Sequence, residues 1–227
     1  MRLRDIILDL LFPPRCSVCG RVAPYNQVFC PECRQRLIES RSARTPTGED
    51  GGFSACVFAA NYGEETRHAV IRLKEIPDSN EARVFADMLC DAIADAMPDR
   101  HFDAVVPVPM TKSKMKMRRH NQAETLARHV AEHLSVPCLP DVLLRHDGMA
   151  TQHMLGREAR HENAAAAYDA VPGASVRGDI LLVDDVMTTG ATADRCAQLL
   201  RSIGAQDVVA ATAAAVPAKN SAEQSAI

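Results

Sequence analysis

The sequence predicts an α/β protein, a mostly parallel sheet with flanking helices, preceded by a small cysteine-bearing module. Three observations carry this. Short apolar runs (Asp103–Pro109, Ile180–Val183, Asp207–Val216) alternate with amphipathic stretches of helical period, as in a sheet covered on both faces. Four cysteines pair near the N-terminus as Cys16-x-x-Cys19 and Cys30-x-x-Cys33. A turn of small residues, Thr188-Thr189-Gly190-Ala191-Thr192, joins an apolar run to a helix.

A chain of 227 residues fits one ordinary domain plus a small one. We divide it into an N-terminal helix with a four-cysteine unit (1–50), a larger α/β unit (51–217) and a disordered tail (218–227). The net charge of −3 gives no global drive toward nucleic acid or an anionic membrane, so any polyanion site must be local. Leu3, Ile6, Ile7, Leu10 and Leu11 sit at helical spacing. Asp5 and Asp9 interrupt that run, which argues against a signal peptide, and no stretch is long enough to span a membrane. The cytoplasm is the expected location.

The two C-x-x-C knuckles, ten residues apart, can place four thiolates on one ion. That set closes a tetrahedral zinc site with no open position, so the expected role is structural, supplying folding energy to a segment too short for its own core. Two disulfides or a redox pair are the alternatives. Residues 40–52 read as a linker or long hairpin, and Phe53–Ala60 as a first strand. Helices follow from Glu64 to about Lys74 and from about Glu81 to Met97, the second with Phe85, Met88, Leu89, Ala92 and Ile93 in an apolar stripe.

After the Asp103–Pro109 strand comes a basic loop, TKSKMKMRRH, without an acid. Asn121 caps the next helix, with Glu124 in capping-box position. Within it His129-x-x-Glu132-His133 spells a metal motif, but the histidines flank the apolar stripe and a solvated helix edge explains them. Val136–Leu144 reads as an edge strand because of Pro137 and Pro140, and Arg145–Gln152 as a flexible loop before a helix containing Arg157, Arg160 and Asn163. The last strand is Asp207–Val216, and the chain from Pro217 has little to pack.

Ile180–Thr192 concentrates the chemistry. The strand Ile180–Val183 should end at Asp184 and Asp185, and the helix carrying Cys196, Leu199, Leu200 and Ile203 closes at Gly204. The first N–H groups of a helix lack intrahelical partners and carry partial positive charge, so the threonine-glycine turn is an anion site. Acids beside a phosphate make sense if the ligand also offers hydroxyls for them to accept. The implied ligand is a sugar phosphate. A Walker-B-like acid pair lacks its G-x-x-x-x-G-K-[ST] loop, and a receiver-type acidic pocket leaves the turn unexplained.

This segment resembles the 5-phosphoribosyl-1-diphosphate (PRPP) loop of type I phosphoribosyltransferases. The resemblance implies that fold, with Asp184 and Asp185 on the ribose 2′ and 3′ hydroxyls and Thr188, Thr189, Gly190, Ala191 and Thr192 on the 5-phosphate. Almost the whole chain is similar to the ComF family of competence-associated, phosphoribosyltransferase-like proteins with N-terminal zinc knuckles. The matching residues are the four cysteines, Leu73-Lys74, Asp103 with Pro107-Val108-Pro109, Arg118-Arg119 with Asn121-Gln122-Ala123, Gln152 with Leu155, and Arg160 with Asn163. The chain departs from the family at His120, where Gly-Phe is usual, and at Glu75, where an aromatic is usual.

What the resemblance implies is a glycosyltransferase: displacement of pyrophosphate from PRPP, with Mg²⁺ on the diphosphate. Arg119 is then the first candidate for the pyrophosphate, with Lys112, Arg118, Asn121 and Gln122 in the same loop, although a solvated basic loop is the alternative. Gln152, Arg160 and Asn163 fall in a segment that often forms a flap, with a helix-surface role as the alternative. The zinc module is the expected hood over an acceptor base, with Tyr25, Phe29 and Tyr62 as stacking options. Three functions compete: a phosphoribosyltransferase tied to nucleotides from imported DNA, a DNA-uptake module binding single-stranded DNA or a helicase-like ATPase, and a PRPP sensor. The sequence has no signature of oligomeric state.

Overall fold

The computed structural model describes residues 13–25, 27–44, 52–147 and 167–216. The expected N-terminal helix, the flap residues Gln152, Arg160 and Asn163, and the tail lie outside these residues. The elements are α1 (Pro31–Ser40), β1 (Ser42–Arg44), β2 (Ala55–Asn61), α2 (Glu64–Glu75), α3 (Asn80–Ala96), β3 (Ala104–Pro107) and α4 (Lys112–Arg118). They continue with α5 (Gln122–Leu134), β4 (Leu143–Arg145), β5 (Tyr168–Ala170), β6 (Gly178–Met187), α6 (Ala191–Ser202) and β7 (Ala205–Ala215).

The main sheet runs β1-β2-β7-β6-β3, parallel throughout except for β1. Its strands are apolar on both sides because both sides are covered. On β6, Leu181 and Val183 join the core beneath α2, α3 and α5, whereas Ile180 and Leu182 join the core with Cys196, Ala197 and Leu200 of α6. In an open parallel sheet the crevice for ligands lies beyond the carboxyl ends of the strands. Here the crevice is beyond β3 and β6.

The stripe expected on α3 is buried (Phe85, Met88, Leu89, Ala92, Ile93), and Ser79 caps the helix by accepting from Ala82 N–H. The four-cysteine unit does not stand apart. Cys16, Phe29, Cys30, Cys33 and Leu37 belong to the same apolar cluster as Val70, Phe85 and Leu89, and the Phe29 ring meets Phe85 edge-on at 5.7 Å. Phe29 is therefore a core residue, not a stacking platform.

Four expectations need correction. The basic segment is a helix, α4, with Thr111 accepting from Lys114 N–H as its cap; it buries no residue, so no apolar period announced it. The strand expected over Val136–Leu144 is two pieces, a bridge from Cys138 to Val105 and then β4, because prolines at 137 and 140 remove two ladder donors. Arg145 ends β4 and pairs with Tyr168 across the β4–β5 ladder instead of lying in a loop. β6 continues through both acids to Met187. No helix among the described residues is long and apolar enough to cross a membrane.

Candidate functional site

Because β6 does not stop at Val183, the pleat assigns its two acids to opposite faces of the sheet. Asp185 turns to the α2/α5 face. There Gln122 Nε2 donates to its Oδ2 at 2.9 Å, and Lys74 Nζ lies 3.3 Å from the same oxygen. Val186 N–H donates to Oδ1 at 2.7 Å, so both oxygens of this buried carboxylate are held. Asp184 turns to the α6 face and keeps part of its surface open to the cleft. Burial and then the neighbouring Asp185 charge push its carboxyl well above the ordinary range, partly opposed by the Asp185 N–H. A ligand that offers hydroxyls or a cation there draws Asp184 into its ionised form.

Met187 leads into the turn, and Gly190, at φ 84°, caps α6. The space at Gly190 is open, since an added Cβ would meet nothing closer than Phe53 at 3.7 Å; the left-handed backbone is what selects glycine. Thr188, Thr189, Gly190, Ala191 and Thr192 wrap a concavity of about 40 Å³ whose floor includes Asp184. This is the opening of a twelve-residue helix, where partial positive charge and free N–H groups collect.

A larger cleft of about 200 Å³ meets this concavity at Asp184 and Thr192. Four cations line it: Lys74, Lys114, Arg118 and Arg145. Burial, then repulsion by Arg145 and Arg118, pulls the Lys114 ammonium below its ordinary pKa. Arg145 is steadied over the face of buried Tyr168 at 5.0 Å. Cations that disfavour one another in a concave site make a receptor for a multiply charged anion.

The sequence candidates sort as follows. Asn121 is a strut: its Nδ2 donates to Val108 O at 3.1 Å and its Oδ1 accepts from Ala123 N–H at 3.1 Å, tying the end of β3 to α5. Glu124 pairs with Arg128 at 2.6 Å in place of closing a capping box. Gln122 bridges Asp185 and Arg118, accepting from Arg118 Nη1 at 3.4 Å. Arg119 is exposed, left-handed at φ 64°, and closes α4; neither it nor exposed Lys112 lines the cleft, which receives Arg118 and Lys114 instead. Arg145 and Tyr168 were not anticipated. The one local signal was an arginine ending the apolar pair Leu143-Leu144. Among the described residues none of the four-cysteine unit lines the cleft.

The sulfurs of Cys16, Cys19, Cys30 and Cys33 all lie within 4.8 Å of one another, with Cys19 and Cys30 at 3.8 Å. Zinc–sulfur bonds of about 2.3 Å in a tetrahedron put sulfurs about 3.8 Å apart, so the set fits one zinc ion. Arg21 Nε donates to Cys19 Sγ at 3.4 Å and Arg36 Nη2 to Cys33 Sγ at 3.2 Å, placing positive charge beside thiolates. The Arg21 bond lowers the Cys19 thiol to about 6, whereas burial raises Cys33 to about 12. The His129/His133 motif is occupied by neighbouring acids, His129 to Asp78 at 2.9 Å and His133 to Asp87 at 3.6 Å.

Residues 7–44 match a family model described as a double zinc ribbon domain, and residues 120–226 one described as a phosphoribosyl transferase domain. The chain is 25% identical over 200 residues to Competence protein F of Haemophilus influenzae, covering 86% of this chain and 82% of that protein. It is 29% identical over 206 residues to the DNA utilization protein YhgH of Salmonella typhimurium, covering 85% and 86%. Adenine phosphoribosyltransferase of Saccharomyces cerevisiae overlays on it with a TM-score of 0.43 and 13% identity, over 82% of this chain and 89% of that one.

Proposed function

This chain belongs to the ComF family of competence-associated, type I phosphoribosyltransferase-like proteins with N-terminal zinc knuckles, and from that premise we propose that it binds PRPP. The observation that carries the reading is a sequence of three environments along one cleft: the α6 turn, the acids Asp184 and Asp185, and the four cations. PRPP has three matching parts in the same order. Its 5-phosphate rests on the N–H groups of Thr188–Thr192, its ribose diol is accepted by Asp184 beside Asp185, and its diphosphate reaches Lys114, Arg118 and Arg145. Mg²⁺ riding on the diphosphate supplies further neutralisation of that charge. The four cysteines hold a structural zinc ion.

The chemistry this arrangement favours is displacement at ribose C1. The bond from C1 to the diphosphate oxygen breaks, pyrophosphate leaves with the electron pair, and a nitrogen nucleophile forms the new bond and releases its proton to solvent. The cations stabilise charge that grows on the leaving group, and the acids hold the ring in line; positioning and electrostatics do the rest. The names of similar proteins, Competence protein F and DNA utilization protein YhgH, support a link between such an activity and the use of DNA.

Calorimetry with PRPP and Mg²⁺, followed by a pyrophosphate-release assay over a panel of bases, tests the reading. Heat and base-dependent release, both lost in Asp184→Asn, support a transferase. Heat without release makes the protein a PRPP sensor. No heat with well-folded protein refutes PRPP binding. One observation favours a second surface: Lys112, Lys116 and Arg119 of the α4 segment are exposed and do not line the cleft. If they hold single-stranded DNA, binding falls steeply with salt and weakens in Lys112→Glu/Lys116→Glu.

A further inference from the structure

The last turn of α2 is gripped from two sides. Arg72 and Lys74 lie two residues apart, about 200° around the helix axis at 3.6 residues per turn. Lys74 reaches Asp185 in the cleft. Arg72 points the other way, where its Nε donates to Glu81 Oε1 at 2.5 Å. The same oxygen accepts from Ser17 Oγ at 2.6 Å, and Ser17 lies between the zinc ligands Cys16 and Cys19. A cavity of about 370 Å³ separates the two units here, with Pro14, Ser17 and Val28 on one wall and Arg72, Ile76 and Glu81 on the other.

Glu81 itself is 2% exposed, and the two donors converge on its Oε1. Burial by itself would raise its carboxyl, but the Ser17 and Arg72 bonds prevail and hold it below the ordinary range. The opening turn of α3 adds favourable partial charge. An ionised carboxylate with two donors from different units is a fixed point between them.

The geometry points to Glu81 as a positioning residue: it fastens the end of α2 to the cysteine module and so sets where Lys74 meets Asp185. The inference rests on the reading of the cleft as a PRPP site. It gives the cysteine module influence over ligand affinity although the module does not line the cleft.

The test uses the full zinc-loaded chain. PRPP–Mg²⁺ affinity is measured by calorimetry for wild type, Glu81→Gln, Lys74→Met and the double variant. Glu81→Gln is expected to weaken PRPP about tenfold when Lys74 is present and to have no effect in the Lys74→Met background, because groups acting through one another are non-additive. An equal loss in both backgrounds, or no loss in either, overturns the assignment. If Glu81→Gln does not fold, Ser17→Ala, which keeps the charge pair, replaces it in the same cycle. If wild type gives no heat, the PRPP reading fails. The crystal structure of the variant then decides the positioning claim: Lys74 displaced from Asp185 supports it, and Lys74 unmoved refutes it.

Discussion

Replacing Gln122 with leucine removes the Nε2 donor that meets Asp185 Oδ2 at 2.9 Å, at a site where Gln122 is 8% and Asp185 7% exposed. The pair lines the cleft but is almost wholly covered, so leucine leaves Asp185 Oδ2 one donor short. A hydrogen bond to a charged acceptor contributes about 1.5–3 kcal/mol, so we expect a loss near 2 kcal/mol. In a chain of this size that lowers the melting temperature by about 4–8 °C. Asp185 keeps Lys74 and the Val186 N–H, so the fold survives and PRPP titration remains possible. We expect PRPP affinity to fall about tenfold, equivalent to about 1.4 kcal/mol, because the carboxylate is no longer fixed against the ribose. The decisive control is the same change made in Asp185→Asn, where a neutral amide replaces the charged acceptor and the bond contributes only about 1 kcal/mol. Melting curves of the four proteins give the answer. An equal loss in both backgrounds would show that Gln122 acts through packing and would refute the argument.

Arg118→Ala should weaken PRPP at least about tenfold while leaving ribose 5-phosphate affinity unchanged, since only the former carries a diphosphate; parallel titrations decide this. Cys30→Ala should reduce zinc from one ion per chain to none by atomic spectrometry and lower the melting temperature by at least about 10 °C, because the cysteines share a core with Phe85. The His129 bond, and then the Arg83 charge, hold the Asp78 carboxyl below its ordinary value. That stabilisation is complete above about pH 4 and is lost as pH falls through the lowered native value, so Asp78→Asn should flatten the acid limb of urea midpoints measured below about pH 4. Gly190→Ala, forced to φ 84°, should cost about 1–2 kcal/mol and weaken phosphate binding, read by urea unfolding and ribose 5-phosphate titration.

The parts of this site readable in the sequence are those written in contiguous residues. Thr188–Thr192 announces a small-residue turn opening a helix, and the two C-x-x-C knuckles announce four sulfurs that converge, because both patterns are local in the chain. Where the sequence misled, a local rule lost to tertiary context. Aspartates usually end strands, yet β6 carries Asp184 and Asp185 because β7 runs beside it and pairs as far as Ala215. α4 forms from lysines and methionines, good helix formers with a threonine cap, and periodicity could not reveal a helix that buries nothing. Arg145 and Tyr168 meet only because β4 and β5 pair across residues far apart in the chain. The choice of Arg118 over Arg119 turns on a single left-handed residue ending α4.

The run of β6 through its acids makes their division of labour a matter of parity. Inserting one residue between Val183 and Asp184, or deleting Val183, would exchange the carboxylates between the two sides, giving Lys74 and Gln122 the wrong partner and turning the clamped acid toward Tyr168. Side-chain replacements here can be graded in their effect, but a shift of one position cannot. The length of this strand is thus a stricter requirement than the identity of most residues on it.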